Sequence, residues 1–127
     1  MSTPPNPEDV NDAAKLIMHR LIARLLARDP SLVDRARASL AGMASRFPER
    51  SFIQDWDELL RIPTRELRLL LASRSPKMKR LRLSSPFVIA EGVDFTGKAV
   101  RQRIRRAAKR VAGRAARTAS TQSQHAQ

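Results

Sequence analysis

The stretch that decides the fold is residues 8–28, EDVNDAAKLIMHRLIARLLAR. Its apolar residues recur at three- and four-residue steps, the spacing of one face of an α-helix. Acidic residues open the stretch, where negative charge complements the helix dipole, and Asp29-Pro30 ends it. We therefore predict a long amphipathic helix that begins near Glu8. The predicted core-facing stripe is Val10, Ala14, Ile17, Leu21 and Leu25, widened by Leu16, Ile22 and Leu26.

Further helices are predicted along the rest of the chain, because apolar residues keep helical spacing between prolines and potential caps. A second helix runs to about Arg46, a short third one ends before Pro63, and a fourth follows. A short basic turn begins at Ser75-Pro76 and ends at Leu83, and the last helix spans about 97–117. The residues expected to cap these helices are Ser31, Ser51, Thr64, Ser75 and Thr96.

These elements predict an all-α fold, a small helical bundle with a basic C-terminal helix and disordered termini. We divide the chain into a disordered lead-in at 1–7, a helical core domain at 8–95, a basic amphipathic helix at 96–117 and a disordered tail at 118–127. The residues expected to form the core are Ile17, Leu21, Leu25, Leu40, Trp56, Leu60, Leu70 and Leu81.

Composition narrows the class of protein. The chain has no cysteine, which excludes disulfides and thiolate metal sites. Its start is polar and acidic rather than basic and then apolar, so we predict no export signal, and no apolar run is long enough for a membrane span. We therefore expect a cytoplasmic protein without membrane contact.

Charge is distributed unevenly along the chain. The net charge is +13, yet residues 1–60 carry nine acids and eight bases, whereas residues 98–127 carry nine bases and no acid. One-sided charge of this kind costs self-repulsion in a compact fold and favours a polyanionic partner. The sequence thus points to the C-terminal segment as the binding region.

The last predicted helix has a narrow apolar seam surrounded by basic residues. The seam is Val100, Ile104, Ala108, Val111 and Ala115. The basic residues are Lys98, Arg101, Arg103, Arg105, Arg106, Lys109, Arg110, Arg114 and Arg117. We expect the seam to dock on the body, or the helix to stay detached until a partner arrives, while guanidinium groups grip phosphates in pairs.

Three other interpretations of this helix stay open. A solvated helix face normally mixes both signs of charge, and a membrane-surface helix normally carries larger apolar residues than alanine and valine. Binding to an acidic protein partner is the strongest alternative to nucleic acid. DNA is favoured over RNA as the nucleic acid, and a homo-oligomer is also left open.

A second basic cluster precedes the Ser84-Ser85-Pro86 segment. Its candidate nucleic-acid contacts are Lys77, Lys79, Arg80 and Arg82. Ser75 and Ser85 each precede a proline, so their helix termini could hold a phosphate, but helix capping alone accounts for the pattern and is favoured.

Catalytic signals are weak. His19 lies in an apolar helix and His125 in the polar tail, and neither has a visible nucleophile beside it. The acids around Trp56 have no second carboxylate cluster to complete a metal site, and the same acids argue against Trp56 as a base-stacking platform. We predict a non-enzymatic protein without metal or cofactor and assign Trp56 to the core.

A family resemblance is carried by four short elements, residues 19–23 (HRLIA), 29–33 (DPSLV), Trp56 with Leu59-Leu60, and 81–87 (LRLSSPF). Through these elements residues 14–90 resemble small bacterial proteins on the antitoxin side of toxin–antitoxin gene pairs. The resemblance implies a protein partner for the helical body and DNA binding that represses the protein's own operon. The chain departs from that pattern after Phe87, since the relatives end in a less basic segment, and Val93–Arg117 is then an addition.

Overall fold

The structure, a computed structural model, describes residues 5–125, with side chains described for residues 5–117. Of the predicted disordered ends, residues 1–4, 126 and 127 and the side chains from 118 onward lie outside the described residues. The described chain is all-α, as predicted, and contains no strand. Its helices are α1 (Pro7–Arg28), α2 (Leu32–Arg46), α3 (Ser51–Leu59), α4 (Thr64–Leu71), α5 (Pro76–Leu81), a 3-10 turn (Arg82–Ser84) and α6 (Lys98–His125).

Side-chain capping agrees with the prediction at α5. There the Ser75 hydroxyl accepts a hydrogen bond from the Met78 amide at 3.2 Å, and Pro76 occupies the first turn. Ser31 is the N-cap residue of α2, as predicted, but its side chain does not bond an amide of that helix. The predicted caps of α3 and α4 are wrong, because Ser51 and Thr64 are already the first helical residues.

The main core is a cluster built around Trp56, which is fully buried. Its indole lies between the ring of His19, 6.5 Å away and nearly parallel, and the ring of Phe87, 6.1 Å away and edge-on. The indole Nε1 donates to the Leu81 carbonyl at 3.1 Å, so the polar end of this side chain is also satisfied. Trp56 therefore belongs to the core, as predicted, and ties α1, α3 and the segment after α5 together.

The predicted apolar stripe of α1 is rotated relative to the observed one. Leu25 is 40% exposed, whereas Leu16, His19 and Leu26 are buried. In α4, Leu70 is likewise 36% exposed, although it was predicted to face the core. Both helices carry apolar residues around much of their circumference, so periodicity alone does not fix which face turns inward.

A second, smaller cluster joins the N-terminal half of α1 to α6. Val10 and Ala13 pack against Ala108 and Ala112, and none of the α6 side chains described, at residues 98–117, belongs to the cluster around Trp56. Because most of these side chains are alanines, the two helices can approach closely. This contact fixes which side of α6 faces solvent.

The segment between the 3-10 turn and α6 closes over the main core. Pro86 and Phe87 are buried, and Ala90 packs beside them. Gly92 has φ +88°, a conformation that a residue with a Cβ rarely adopts, and it lies against the guanidinium of Arg35. Arg35 is in turn held by Asp29 at 2.7 Å, so the segment is fixed to α2.

Candidate nucleic-acid interface

Packing on α1 gives α6 a defined inner face. Ile104 and Ala108, two residues of the predicted seam, are buried there, and Val100 and Val111 are half-buried. Ala115, also predicted to dock, is exposed, and Ala112 is buried in its place. At 100° per residue Ala115 lies between Ile104 and Ala108 around the helix, so helical phase does not account for its exposure, and Ala112 lies about 40° beyond Ala108 at one edge of the seam.

Five arginines of α6 point away from α1, and we call them the arginine ridge. Their spacing of three or four residues confines them to a sector of about 80°, centred roughly 140° around the helix from the Ile104–Ala108 line. The sector extends about 21 Å along the helix at 1.5 Å per residue. All of its members are exposed. The ridge comprises Arg103, Arg106, Arg110, Arg114 and Arg117.

The other four bases of α6 lie to one side of the seam. Lys98, Arg101 and Arg105 line a groove between α1 and α6, and Lys109 lies on the same flank at the helical spacing. All four are exposed. All nine predicted bases are therefore exposed, but they divide into two groups, an outward ridge and a flank beside the groove.

From Lys98 to Arg114 the positive charge of α6 is not neutralised by ion pairs with described residues. Between Lys98 and Arg114 no basic side chain forms an ion pair with a described residue, and residues 98–125 contain no acid. Arginines at i, i+3 and i+4 repel one another by a few tenths of a kcal/mol per pair. The helix thus retains a local excess of positive charge that an anionic partner would relieve.

The second basic cluster is partly neutralised. Lys79 pairs with Asp12 of α1 at 3.2 Å, and together with Arg80 it lines a hollow that also contains Glu8. Lys77 is exposed. The Ser85 hydroxyl accepts from the Phe87 amide at 3.2 Å, so this serine is engaged within its own turn. The cluster offers a weaker anion site than the ridge.

Arg82 does not belong to the exposed basic surface on which it was predicted to contact nucleic acid. Its side chain is only 3% exposed, and its Nη1 donates to the carbonyls of Leu71 and Ser73 at 3.2 and 2.6 Å. The guanidinium satisfies the C-terminal end of α4, where carbonyls lack helical partners. Nothing in the sequence indicated that this arginine is buried while the basic residues near it are exposed.

Two further arginines also bond backbone carbonyls. Arg37 donates to the carbonyl of Leu60 at 2.8 Å, and Arg68 donates to that of Ala23 at 2.7 Å. The first bond joins α2 to the C-terminal end of α3, and the second joins α4 to α1. The basic residues of the body are therefore partly structural.

His19 is a core residue rather than a catalytic base. It is fully buried, its Nδ1 donates to the Lys15 carbonyl at 2.7 Å, and its Nε2 has no partner. Burial lowers the pKa of His19 to about 4, and the nearby charges of Arg82 and Lys15 act in the same direction, against the Lys15 carbonyl, which raises the pKa. The ring is therefore neutral at neutral pH.

The described residues contain neither a cluster of metal ligands nor a helix that could span a membrane. No three side chains of histidine, aspartate or glutamate there are close enough to hold a metal ion. None of the helices in this part of the chain combines the length and the apolar character that crossing a bilayer requires. No protein-family model, curated protein or solved structure matches the chain.

Proposed function

We propose that the protein binds DNA through the arginine ridge of α6 and contacts phosphates with little regard to base sequence. The observation that carries the proposal is that five exposed arginines lie opposite the seam that holds α6 on α1. The body of the protein thus presents these side chains outward along one straight edge. Residues 98–125 contain no acid, and Arg103, Arg106, Arg110 and Arg114 form no ion pair with a described residue.

The ridge suits a phosphate backbone in both chemistry and length. Guanidinium groups match phosphate oxygens with paired hydrogen bonds and stay charged at any physiological pH. One DNA strand carries a phosphate about every 3.4 Å, so a ridge of about 21 Å spans roughly six of them. All five members of the ridge could therefore engage phosphates at once.

Duplex DNA is the preferred form of nucleic acid. With its side chains an α-helix is about 10–12 Å across, and the major groove of B-DNA is about 12 Å wide. The major groove of A-form RNA is too narrow for side chains to read. We place this activity in the cytoplasm. DNA binding through α6 would also serve an antitoxin-like repressor, a role that stays a prediction.

The test is the salt dependence of binding to two unrelated DNA duplexes, measured by fluorescence anisotropy. If the ridge neutralises about five phosphates, log affinity against log salt has a slope near −4.5. Replacing Arg106, Arg110 and Arg114 by alanine removes about three contacts and flattens the slope by about 2.7 on both duplexes. These three positions are exposed, so the fold is retained.

A matched variant controls for net charge. Arg24, Arg28 and Arg65 are exposed arginines outside α6 without an ion pair or hydrogen bond, and their replacement by alanine lowers the charge by the same amount. This control variant should keep a slope close to the wild-type value. Equal losses in the two triple variants would show that only overall charge matters. Absence of binding by the wild type at low salt would contradict the proposal altogether.

A further inference from the structure

A groove of about 760 Å³ lies between α1 and the first turns of α6, on the flank of α6 that the arginine ridge does not occupy. Its apolar lining combines buried and half-buried side chains with Leu83, which is 61% exposed. An exposed leucine beside several other apolar groups is typical of a binding surface rather than of scattered surface residues. The apolar lining comprises Val10, Ala14, Met18, Leu83, Phe95 and Ile104.

The polar lining of this groove is entirely basic or neutral. Lys15 contributes one charge from α1, and Lys98, Arg101 and Arg105 contribute three from α6. No acid lines the groove, and none of these four bases forms an ion pair with a described residue. The groove therefore attracts an occupant that is apolar in the middle and negatively charged at its edges.

The shape of the groove indicates an elongated occupant. Its α1 wall extends from Val10 to Met18, and its α6 wall from Lys98 to Arg105. At 1.5 Å per residue these walls are about 12 and 10 Å long, which matches roughly two turns of a helix. An amphipathic helix presents apolar anchors at i, i+3, i+4 and i+7 over that length.

We propose that this groove binds an acidic amphipathic helix of a partner protein, with the apolar face of that helix on Leu83 and its acids against the basic rim. Nucleic acid is not the occupant, because a phosphate backbone gains nothing from an apolar floor. The arginine ridge lies on the other side of α6, so DNA and the partner helix bind at separate sites.

The probe is a fluorescein-labelled peptide of about 15 residues, near the length at which an isolated helix becomes marginally stable. It carries leucines at i, i+3, i+4 and i+7 and glutamates on its other faces, and a second peptide has the same composition in shuffled order. The full-length protein should bind the amphipathic peptide about tenfold or more tightly than the shuffled one, since only the former presents one apolar face.

Leu83→Asp is the decisive variant, because it places a negative charge on the groove floor at an exposed position outside the core. We expect it to weaken peptide binding about tenfold or more and to leave DNA binding and the melting temperature near wild type. Ile89→Asp adds the same charge at a residue that is 58% exposed and does not line the groove, so it should bind the peptide normally.

Each remaining outcome overturns the proposal. Equal binding of the shuffled peptide, or unchanged binding by Leu83→Asp, would mean that the groove is not the site. Loss of peptide binding in the variant with alanine at Arg106, Arg110 and Arg114 would assign the peptide to the arginine ridge instead. A wild-type dimer in sedimentation equilibrium that dissociates in Leu83→Asp would assign the groove to a second copy of the chain.

Discussion

At the residue scale, Trp56 is the largest fully buried side chain among the described residues, and it belongs to the main core. Trp56→Ala should lower the free energy of unfolding by about 3–5 kcal/mol, since it removes a fully buried ring and one of the two side-chain donors to the Leu81 carbonyl, the other being the Ser84 hydroxyl. Trp56→Phe keeps most of the ring and loses only the donor, so it should cost less. Urea denaturation of both variants gives the comparison, and a wild-type melting curve for Trp56→Ala would contradict the assignment.

His19 makes the stability of the fold depend on pH. The unfolded ring titrates near pH 6.5 and the folded ring near pH 4, so between these values the unfolded chain binds a proton that the folded chain does not. Stability from this residue is fully present above pH 6.5 and is lost as the pH falls toward 4. A shift of this size corresponds to roughly 3 kcal/mol.

The variant His19→Leu should flatten this dependence. Urea denaturation at the two ends of the pH window measures it for the wild type, for His19→Leu and for His125→Gln, which removes the only other histidine. We expect His125→Gln to keep the wild-type difference between the two pH values. If His19→Leu kept it as well, carboxylates rather than the buried ring would account for the acid sensitivity.

At the scale of elements, α6 is attached to α1, but its side chains up to Arg117 contribute nothing to the cluster around Trp56. A chain that ends at Thr96 should therefore still melt cooperatively, at a lower temperature, because Val10 and Ala13 become exposed to water. Circular dichroism of the truncated chain tests this. Non-cooperative melting would show that α6 is needed for the fold of residues 5–96.

A more polar residue on the face of α1 that the truncation uncovers is a useful control. Changing Ala13 to Ser in the truncated chain makes the uncovered surface more polar without a larger side chain. If the lower melting temperature comes from loss of the α1–α6 contact, this change should cost little in the truncated chain. The same change in the full chain should cost more, because it places a hydroxyl inside the alanine contact.

At the scale of the whole molecule, the sequence predicted the all-α fold and the order of its helices, because prolines and helical spacing mark them clearly. It did not predict which face of α1 turns inward, since Leu21, Leu25 and Leu26 make both phases apolar. That choice depends on where α4 and α6 pack, which is a long-range property.

The candidate site was likewise predicted only in part, because some of its features depend on contacts between distant segments. The exposure of all nine bases of α6 followed from the density of its charge, but Arg82 and Lys79 could not be told apart, because burial and pairing with Asp12 arise from distant segments. The groove beside Leu83 left no signal in the sequence. Three separate segments line it, and only the pairing of α1 with α6 brings them together.

The pairing of the first helix with the last also has a consequence for synthesis of the protein. Ala13 emerges from the ribosome about 95 residues before Ala108, its partner, and at typical rates of about 5–20 residues per second this delay lasts roughly 5–20 s. The main core can close earlier, since its last member is Ala90. The nascent chain therefore shows an uncovered apolar strip on α1 to the surrounding solution until α6 has left the exit tunnel.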